Sequence, residues 1–181
     1  HGLWSLYKNP DEAKSYYESG FQYRPGDDLS DSRFFLGYKP HLKEKNVRQV
    51  LRALPNYLKE HYWSDGMVRV AGREYSGLLV TPCHTHDDRS RQMSCISCHA
   101  LHQPVEDPRS LAAWANDQLS VGMETNQACN QCHEDFVSDE QLQAHTHHAP
   151  GSVGSLCYNC HMPYTTFGLL KAIRSHAIDS P

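Results

Sequence analysis

The sequence has little net charge of either sign and no long apolar run. Its 17 basic and 21 acidic residues leave a formal net charge of −4 at pH 7. A chain without a basic excess lacks the attraction that draws a protein to nucleic acid. No stretch approaches the roughly 18 consecutive apolar residues of a membrane-spanning helix, and the mean hydropathy is −0.67. We therefore expect a soluble globular chain with no nucleic-acid partner and no transmembrane segment.

Methionine is missing from the first position. The chain begins with His1, as a mature protein does once its export signal has been removed. Its 181 residues suffice for one domain with a core or for two small ones. We therefore expect an exported protein of modest size.

Cysteine and histidine, in contrast, are abundant, with seven and thirteen copies. Six of the cysteines lie in three copies of the pattern Cys-x-x-Cys-His, at residues 95–99, 129–133 and 157–161. Chance would supply roughly 0.02 such pentapeptides at this composition. Two thiols at this spacing reach the two vinyl groups of one haem edge and form thioethers, and the adjacent histidine then coordinates the iron.

The three motifs therefore predict three covalently attached haem c groups. The attachment residues would be Cys95, Cys98, Cys129, Cys132, Cys157 and Cys160. The proximal iron ligands would be His99, His133 and His161. Zinc also uses paired cysteines, but it does not require a histidine after every second one. Three disulfides across two residues, without a thioredoxin-like βαβ pattern, fit less well.

Three haems are large, flat and apolar, so they replace much of the core that a chain of this length would otherwise build. We predict a mainly α fold with extensive loops and little β, a small multihaem cytochrome c wrapped around its haems. Residues 1–80 hold no motif and form a helical N-terminal region, and residues 81–181 form the trihaem domain. Because bacterial and archaeal haem c is attached outside the cytoplasmic membrane, we expect a periplasmic or extracellular location.

Local patterns predict where the regular elements lie. We predict helices at 10–20, 40–53, 55–63, 107–119, 138–145 and 167–174, a turn at 24–28 and a small hairpin at 67–75. The helix at 138–145 begins with a capping box, since Ser138 is followed three residues later by Gln141.

An electron-carrying haem needs a second axial ligand, and ten histidines remain to supply three. His102 is too close to the first motif to reach the far face of its own haem, so it would serve a neighbour. His145 and His148 share one helix face, and at least one of them is expected to be a ligand. His176 follows the last predicted helix and can fold back over a haem. The alternative for each is a solvated surface histidine. His84, His86, His41 and His61 are weaker candidates.

Several stretches around the motifs are more particular than the motifs themselves. They are residues 63–66, 72–75, 93–102, 145–148, 157–163 and 170–176. With them, residues 62–181 resemble the haem domain of multihaem cytochromes of the cytochrome c554 type, which is often fused to tetratricopeptide repeats. The resemblance implies electron transfer through bis-histidine haems. No helical repeats follow here, so the partner docking that they provide would be absent. The chain is similar, more weakly, to subunits of extracellular cytochrome filaments.

Two residues stand outside this scheme. Cys83 is the unpaired seventh cysteine, and Cys83-His84 has the outline of a motif without its first thiol. A free thiol or an intermolecular disulfide is favoured over a singly attached fourth haem. His1 offers an amine and an imidazole, and in a polymer it could ligate a haem of the next subunit, although a frayed terminus is favoured.

Three functions remain open from the sequence. The favoured one is an electron carrier with six-coordinate irons, which exchanges electrons with redox partner proteins, other multihaem cytochromes among them, and could self-assemble into an oligomer or filament. The second is a reductase of nitrite, hydroxylamine or peroxide with one open haem. The third is a haem-based gas sensor. No distal acid–base residue is recognisable, and the lysine-ligated motif of nitrite-reducing haems is absent, so an enzyme is less favoured.

Overall fold

A computed structural model describes residues 5–7, 10–20, 27, 31, 33–36, 45–69, 74–167 and 171–180. The chain divides into two compact units. Unit 1 comprises His1–Ser76 with Thr166–Lys171, and unit 2 comprises Gly77–Thr165 with Ala172–Pro181. All three motifs therefore belong to unit 2.

Short helices and the loops between them make up most of the described chain. The helices are α1 Pro10–Ser19, α2 Lys45–Ala53, α3 Tyr57–His61, α4 Glu74–Leu78, α5 Leu111–Ala115, α6 Gln127–Asn130, α7 Asp139–Thr146 and α8 Cys157–His161. Single 3-10 turns lie at Arg89–Arg91, Cys95–Ser97, Glu134–Phe136 and Val153–Ser155. The strands are β1 Ser5–Tyr7, β2 Arg33–Phe35, β3 Tyr164–Phe167 and β4 Lys171–Arg174. β1 pairs with β2 antiparallel, and β3 neighbours β4 in a second sheet.

Unit 1 has a hydrophobic core of its own. Its buried members are Leu36, Val47, Tyr57 and Tyr62, with Val50, Leu51, Leu58 and Val68 packed against them. The hydroxyl of Tyr62 donates a 2.8 Å hydrogen bond to the carbonyl of Leu36, so the core satisfies this polar group. Val47 is fully buried, and Val50 and Leu51 lie on the same face of α2. This unit can be stable without a cofactor.

Unit 2 has almost no core. Its buried large hydrophobic residues, among those described, are Leu78, Trp114 and Leu142. Its exposed large hydrophobic residues are Val80, Ile96, Leu101, Val105, Leu111, Val121, Val137, Val153 and Tyr164. The exposed apolar side chains of unit 2 are surface that a bound apolar group could cover.

Most of the predicted helices are confirmed, although their bounds differ. The structure has α1, α2, α3 and α7 at the predicted positions, and Gly20 follows α1 with a left-handed φ of 80°. A glycine tolerates this conformation without strain. Residues 40–44 of the second predicted helix, and most of the turn at 24–28, lie outside the described residues.

Two predicted helices are wrong in extent or kind. The helix predicted at 107–119 is confined to α5, because the Asp107 side chain accepts hydrogen bonds from the backbone and the guanidinium of Arg109 and so holds a turn there. Ser110 then caps α5 by accepting from the amide of Ala113. The helix predicted at 167–174 is not formed, because residue 167 ends β3 and residues 171–174 form β4, while residues 168–170 lie outside the described residues. All four residues of β3 are β-branched or aromatic.

Residues 70–73, the centre of the hairpin predicted at 67–75, lie outside the described residues, and its described ends belong to other elements. Val68 forms an isolated antiparallel bridge back to Tyr62, and Tyr75 lies in α4. The pairing is closed by the turn at Gly66, whose φ is 95°. The described helices include none that is long and apolar enough to cross a membrane.

The N-cap of α7 gives a first testable prediction: Ser138 caps the helix as expected, but the Gln141 side chain contacts its hydroxyl and not its backbone amide. Ser138 Oγ accepts the amide hydrogen of Gln141 at 3.2 Å and donates to its Oε1 at 2.9 Å. We expect Ser138→Ala to lower the free energy of unfolding by about 1 kcal/mol, because an amide of the first turn loses its acceptor. Chemical denaturation of the purified protein measures this, with Ser180→Ala as the control. Equal stability of the two variants would contradict the capping role.

Candidate haem-attachment sites

Each Cys-x-x-Cys-His motif folds as one helical turn. The histidine amide donates to the carbonyl of the first cysteine, at 2.9 Å from His99 to Cys95 and at 3.1 Å from His133 to Cys129. The third motif forms the whole of α8. Residues at positions i, i+3 and i+4 of a helical turn share one face, so both thiols and the imidazole of each motif point to the same side.

The motif thiols are accessible on that side. In each motif one cysteine is exposed, namely Cys95, Cys132 and Cys160, while the other is half-buried. All seven cysteines are free thiols. A flat group can therefore approach each turn and meet two thiols and an imidazole at once, which is the arrangement that haem c attachment requires.

The loop at 117–120 positions the first motif. The amide of Ala100 donates to Gln118 and the amide of Ser120 to Cys98, both through backbone atoms, and His99 bridges Leu119. Arg109 holds this loop by donating to the carbonyl of Leu119. The Arg109 guanidinium also donates to the Asp107 carboxylate, and these hydrogen bonds hold the pKa of Asp107 below its ordinary value.

Two proximal histidines have their rings oriented by backbone carbonyls. Nδ1 of His99 lies 3.0 Å from the carbonyl of Asp117, and Nδ1 of His161 lies 2.8 Å from that of Asp179. A carbonyl only accepts, so in each case Nδ1 carries the proton and the lone pair is on Nε2. Histidines that bind metals are oriented in this way. The two rings are thus prepared to coordinate through Nε2.

Two of the predicted second ligands face proximal histidines. The ring centres of His99 and His176 are 6.3 Å apart, and those of His145 and His161 are 6.0 Å apart with planes within 3° of parallel. Two imidazole nitrogens that bind one metal from opposite sides, each at about 2.0 Å, place the ring centres roughly 6 Å apart. Both pairs therefore have the separation of two axial ligands.

An ordinary aromatic contact spans about 4.5–7 Å, so the tautomer of each second histidine is a separate observation. Nδ1 of His176 lies 3.1 Å from the carbonyl of Arg174, so its lone pair is also on Nε2. His84 has the same arrangement, with Nδ1 2.8 Å from the carbonyl of Met93. His86 has the opposite arrangement of proton and lone pair, because its Nδ1 accepts the amide hydrogen of Asp88. His84 is thus a better candidate ligand than the sequence indicated.

The other two predicted second ligands are not brought to a proximal histidine among the described residues. His102 is exposed on the loop that follows the first motif. His148 is exposed as well, and its ring packs against Gly154, where an added Cβ would lie 2.5 Å from the imidazole Cγ. The helix face expected to hold both His145 and His148 is not formed, because α7 ends at Thr146 and His147 takes a left-handed φ of 59°. The structure places His145, rather than His148, beside a proximal ligand. His1 lies outside the described residues.

The second motif lies between the other two. Gln131 donates from Nε2 to the carbonyl of Ser97 in the first motif at 3.2 Å. Asn126, which directly precedes α6, accepts the amide hydrogen of Cys157 in the third motif on its Oδ1 at 2.9 Å. The neighbouring Cys129 thiol lowers the pKa of Cys157 to about 6. The attachment points of the second and third haems are therefore adjacent.

An aromatic row, which the sequence did not single out, joins the second and third motifs. The Phe136 ring lies 6.5 Å from that of His133 and 4.5 Å from that of His145, whose own neighbour is His161. Phe136 is held in the single turn that directly follows His133. In the sequence, Phe136 could have been recognised by its position three residues after the motif histidine His133.

Cys83 lies beside the second motif. Burial raises the pKa of its thiol, and the nearby Cys132 raises it further. The segment is tied to that motif by Arg91, which donates to the carbonyl of Cys132 at 3.5 Å. A protonated thiol in this position fits the expectation of an unattached cysteine.

The residues of unit 2 fit a haem better than a bare metal ion. Among the described residues, no three His, Cys, Asp or Glu side chains converge on a point where they could hold a metal ion. A haem iron needs no such cluster, because the porphyrin supplies four ligands and the protein adds one or two. The exposed apolar side chains of unit 2 supply the surface that porphyrin rings would cover.

No family model, curated protein or solved structure matches the chain.

Proposed function

We propose that the protein is a trihaem c-type cytochrome that carries electrons. The observation that carries this proposal is the combination of three one-turn motifs with a unit that exposes its apolar side chains. The six motif cysteines would hold the haems, and His99, His133 and His161 would be the proximal ligands. Bound haem supplies an iron that gains and loses one electron.

Two sixth ligands follow from the ring pairs. His176 would complete the first site opposite His99, and His145 would complete the third opposite His161. An iron with two imidazole ligands has no position left for a substrate, so its chemistry is limited to electron transfer. The central place of the second motif supports a path from the first site through the second to the third, or the reverse.

The choice between a carrier and the alternative functions depends on the second haem site, that of His133. No histidine ring lies opposite His133 among the described residues, whereas the other two motif histidines each have one. His84, His102 and His148 remain candidates for this position. If none of them binds, the second haem would be open, and a reductase or a gas sensor would be favoured over a carrier.

Location and partners belong to the same proposal. Haem c attachment supports a periplasmic or extracellular location, and a carrier needs redox partner proteins, for which other multihaem cytochromes are suitable. Self-assembly into an oligomer or filament would extend the same electron path through space.

The proposal is tested on the protein produced with a haem c attachment system. Intact mass and a haem absorbance assay are expected to give three covalent haems per chain. The spectrum of the dithionite-reduced protein is expected to stay unchanged when carbon monoxide is added if one of His84, His102 and His148 binds the second iron, because every iron would then have two protein ligands. Fewer than three haems would refute the trihaem assignment. A shift of one third of the Soret band would instead support the open second site.

A further inference from the structure

Arg174, the last residue of β4, makes all of its described side-chain contacts with the third motif and the strand that follows it. Its Nη1 donates to the carbonyls of Tyr158 at 3.0 Å and of Met162 at 3.1 Å, and its Nη2 donates to Oδ1 of Asn159 at 2.7 Å. Its Cζ also lies 4.4 Å from the ring centre of Tyr158 and 4.3 Å from that of Tyr164. The guanidinium is thus held between two aromatic faces.

These partners are the part of the chain that attaches the third haem. Tyr158 and Asn159 are the two residues between Cys157 and Cys160, and Met162 directly follows His161. An arginine near the end of a helix can donate to its last carbonyls. Here Arg174 reaches the carbonyl of Met162 and that of Tyr158, which also accepts the amide hydrogen of Met162. A guanidinium is suited to this because it offers several donors in one rigid plane. The side chain of Arg174 therefore fixes the attachment turn.

The backbone of the same residue orients a different site. The carbonyl of Arg174 accepts the hydrogen bond from Nδ1 of His176 at 3.1 Å, and His176 faces His99 of the first motif. Between them, Ser175 is buried and its amide donates to the carbonyl of Pro163 at 2.9 Å. On the other side, the backbone of residues 176–177 packs so closely on Gly77 that an added Cβ would lie 2.8 Å from the amide nitrogen of Ala177.

We propose that Arg174 is a positioning residue that ties His176, the sixth ligand of the first haem, to the attachment turn of the third. The inference rests on the proposed function. If the guanidinium is removed, the two aromatic faces and three acceptors lose their common partner, and the backbone at 174–176 is no longer fixed at the distance from His99 that coordination requires. The first iron then loses its sixth ligand, although no residue that touches it has been changed.

The test compares Arg174→Ala, His176→Ala and the double variant in the haem-loaded protein. Each single variant is expected to keep three covalent haems and to bind carbon monoxide at one of them. The double variant is expected to bind carbon monoxide at one haem as well, because both changes open the same site. Arg69→Ala is the matched control, since Arg69 also lies over an aromatic ring, that of Trp63, and donates to a carbonyl; it is expected to bind none.

Arg174→Lys provides a milder second variant. Lysine keeps the charge between the rings but lacks the planar fork, so we expect carbon monoxide binding in a smaller fraction of molecules than in Arg174→Ala. Carbon monoxide binding at two haems in the double variant, or none in either Arg174 variant, would overturn the inference. A variant that unfolds at a lower temperature but keeps all of its irons six-coordinate would show that Arg174 is only structural. A wild-type chain with fewer than three haems would instead refute the proposed function.

Discussion

Replacement of all six motif cysteines by alanine is expected to leave unit 2 without a stable fold and unit 1 folded. Unit 2 buries few large apolar side chains and exposes many, and each of these gains about 1.5–3 kcal/mol when it is covered. Several such contributions equal the whole stability of a small domain, which is about 5–15 kcal/mol. Unit 1 keeps its core of Leu36, Val47, Tyr57 and Tyr62. Hydrogen exchange resolved by segment measures the two units separately.

Cys83→Ala is the control for this experiment, because it also removes a thiol from unit 2. It is expected to keep three covalent haems and the exchange protection of the wild type. Slow exchange throughout residues 95–165 in the six-alanine variant would show that the protein chain folds there without haem. Loss of protection in both units would show that unit 1 depends on unit 2 for its stability.

The second large effect is expected at the sixth ligands. His176→Ala and His145→Ala are each expected to open one haem to carbon monoxide, and the double variant two, because the ring pairs assign these histidines to different irons. The fraction of the Soret band that shifts in the reduced protein counts the open sites. Each variant keeps its thioethers, so the haem content is expected to be unchanged.

His86→Ala is the matched control, because its Nδ1 accepts a backbone hydrogen bond and its Nε2 therefore carries the proton. It is expected to bind no carbon monoxide. If His148→Ala opens the third site and His145→Ala does not, the sixth ligand of the third haem is His148 and not His145. The same titration with His84→Ala, His102→Ala and His148→Ala identifies which of them serves the second haem.

The number of haems that bind carbon monoxide in these variants bears on the path of electrons. Contacts from Gln131 to Ser97 and from Asn126, the residue before α6, to Cys157 support the second site as the central one. Phe136 lies between His133 and His145 on this route. A second haem that is six-coordinate would relay electrons in both directions, whereas an open one would end the route in a reaction.

The sequence by itself determined the chemistry that the chain can support and several of its helices. The three pentapeptides predict haem attachment because thioether formation and proximal ligation depend only on residues within one turn. α1 and α7 were predictable for the same reason: the signals of Pro10, Gly20 and Ser138 are local. The predicted helices at 107–119 and 167–174 were wrong where a side chain such as that of Asp107, or pairing between strands, overrode the local pattern.

Only the tertiary structure decided which histidines meet. His99 and His176 are 77 positions apart, and no periodicity links them; β4 and the buried Ser175 bring them together. The sequence pattern puts His145 and His148 on one helix face, but α7 ends at Thr146 and the left-handed His147 takes His148 out of the helix, while His145 lies beside His161. Arg174 lies in the stretch 170–176 that carries the resemblance, but nothing in the sequence indicated its contacts with the third motif. Ligand pairing is a long-range property, because it depends on how distant segments pack, while haem attachment is local to each motif.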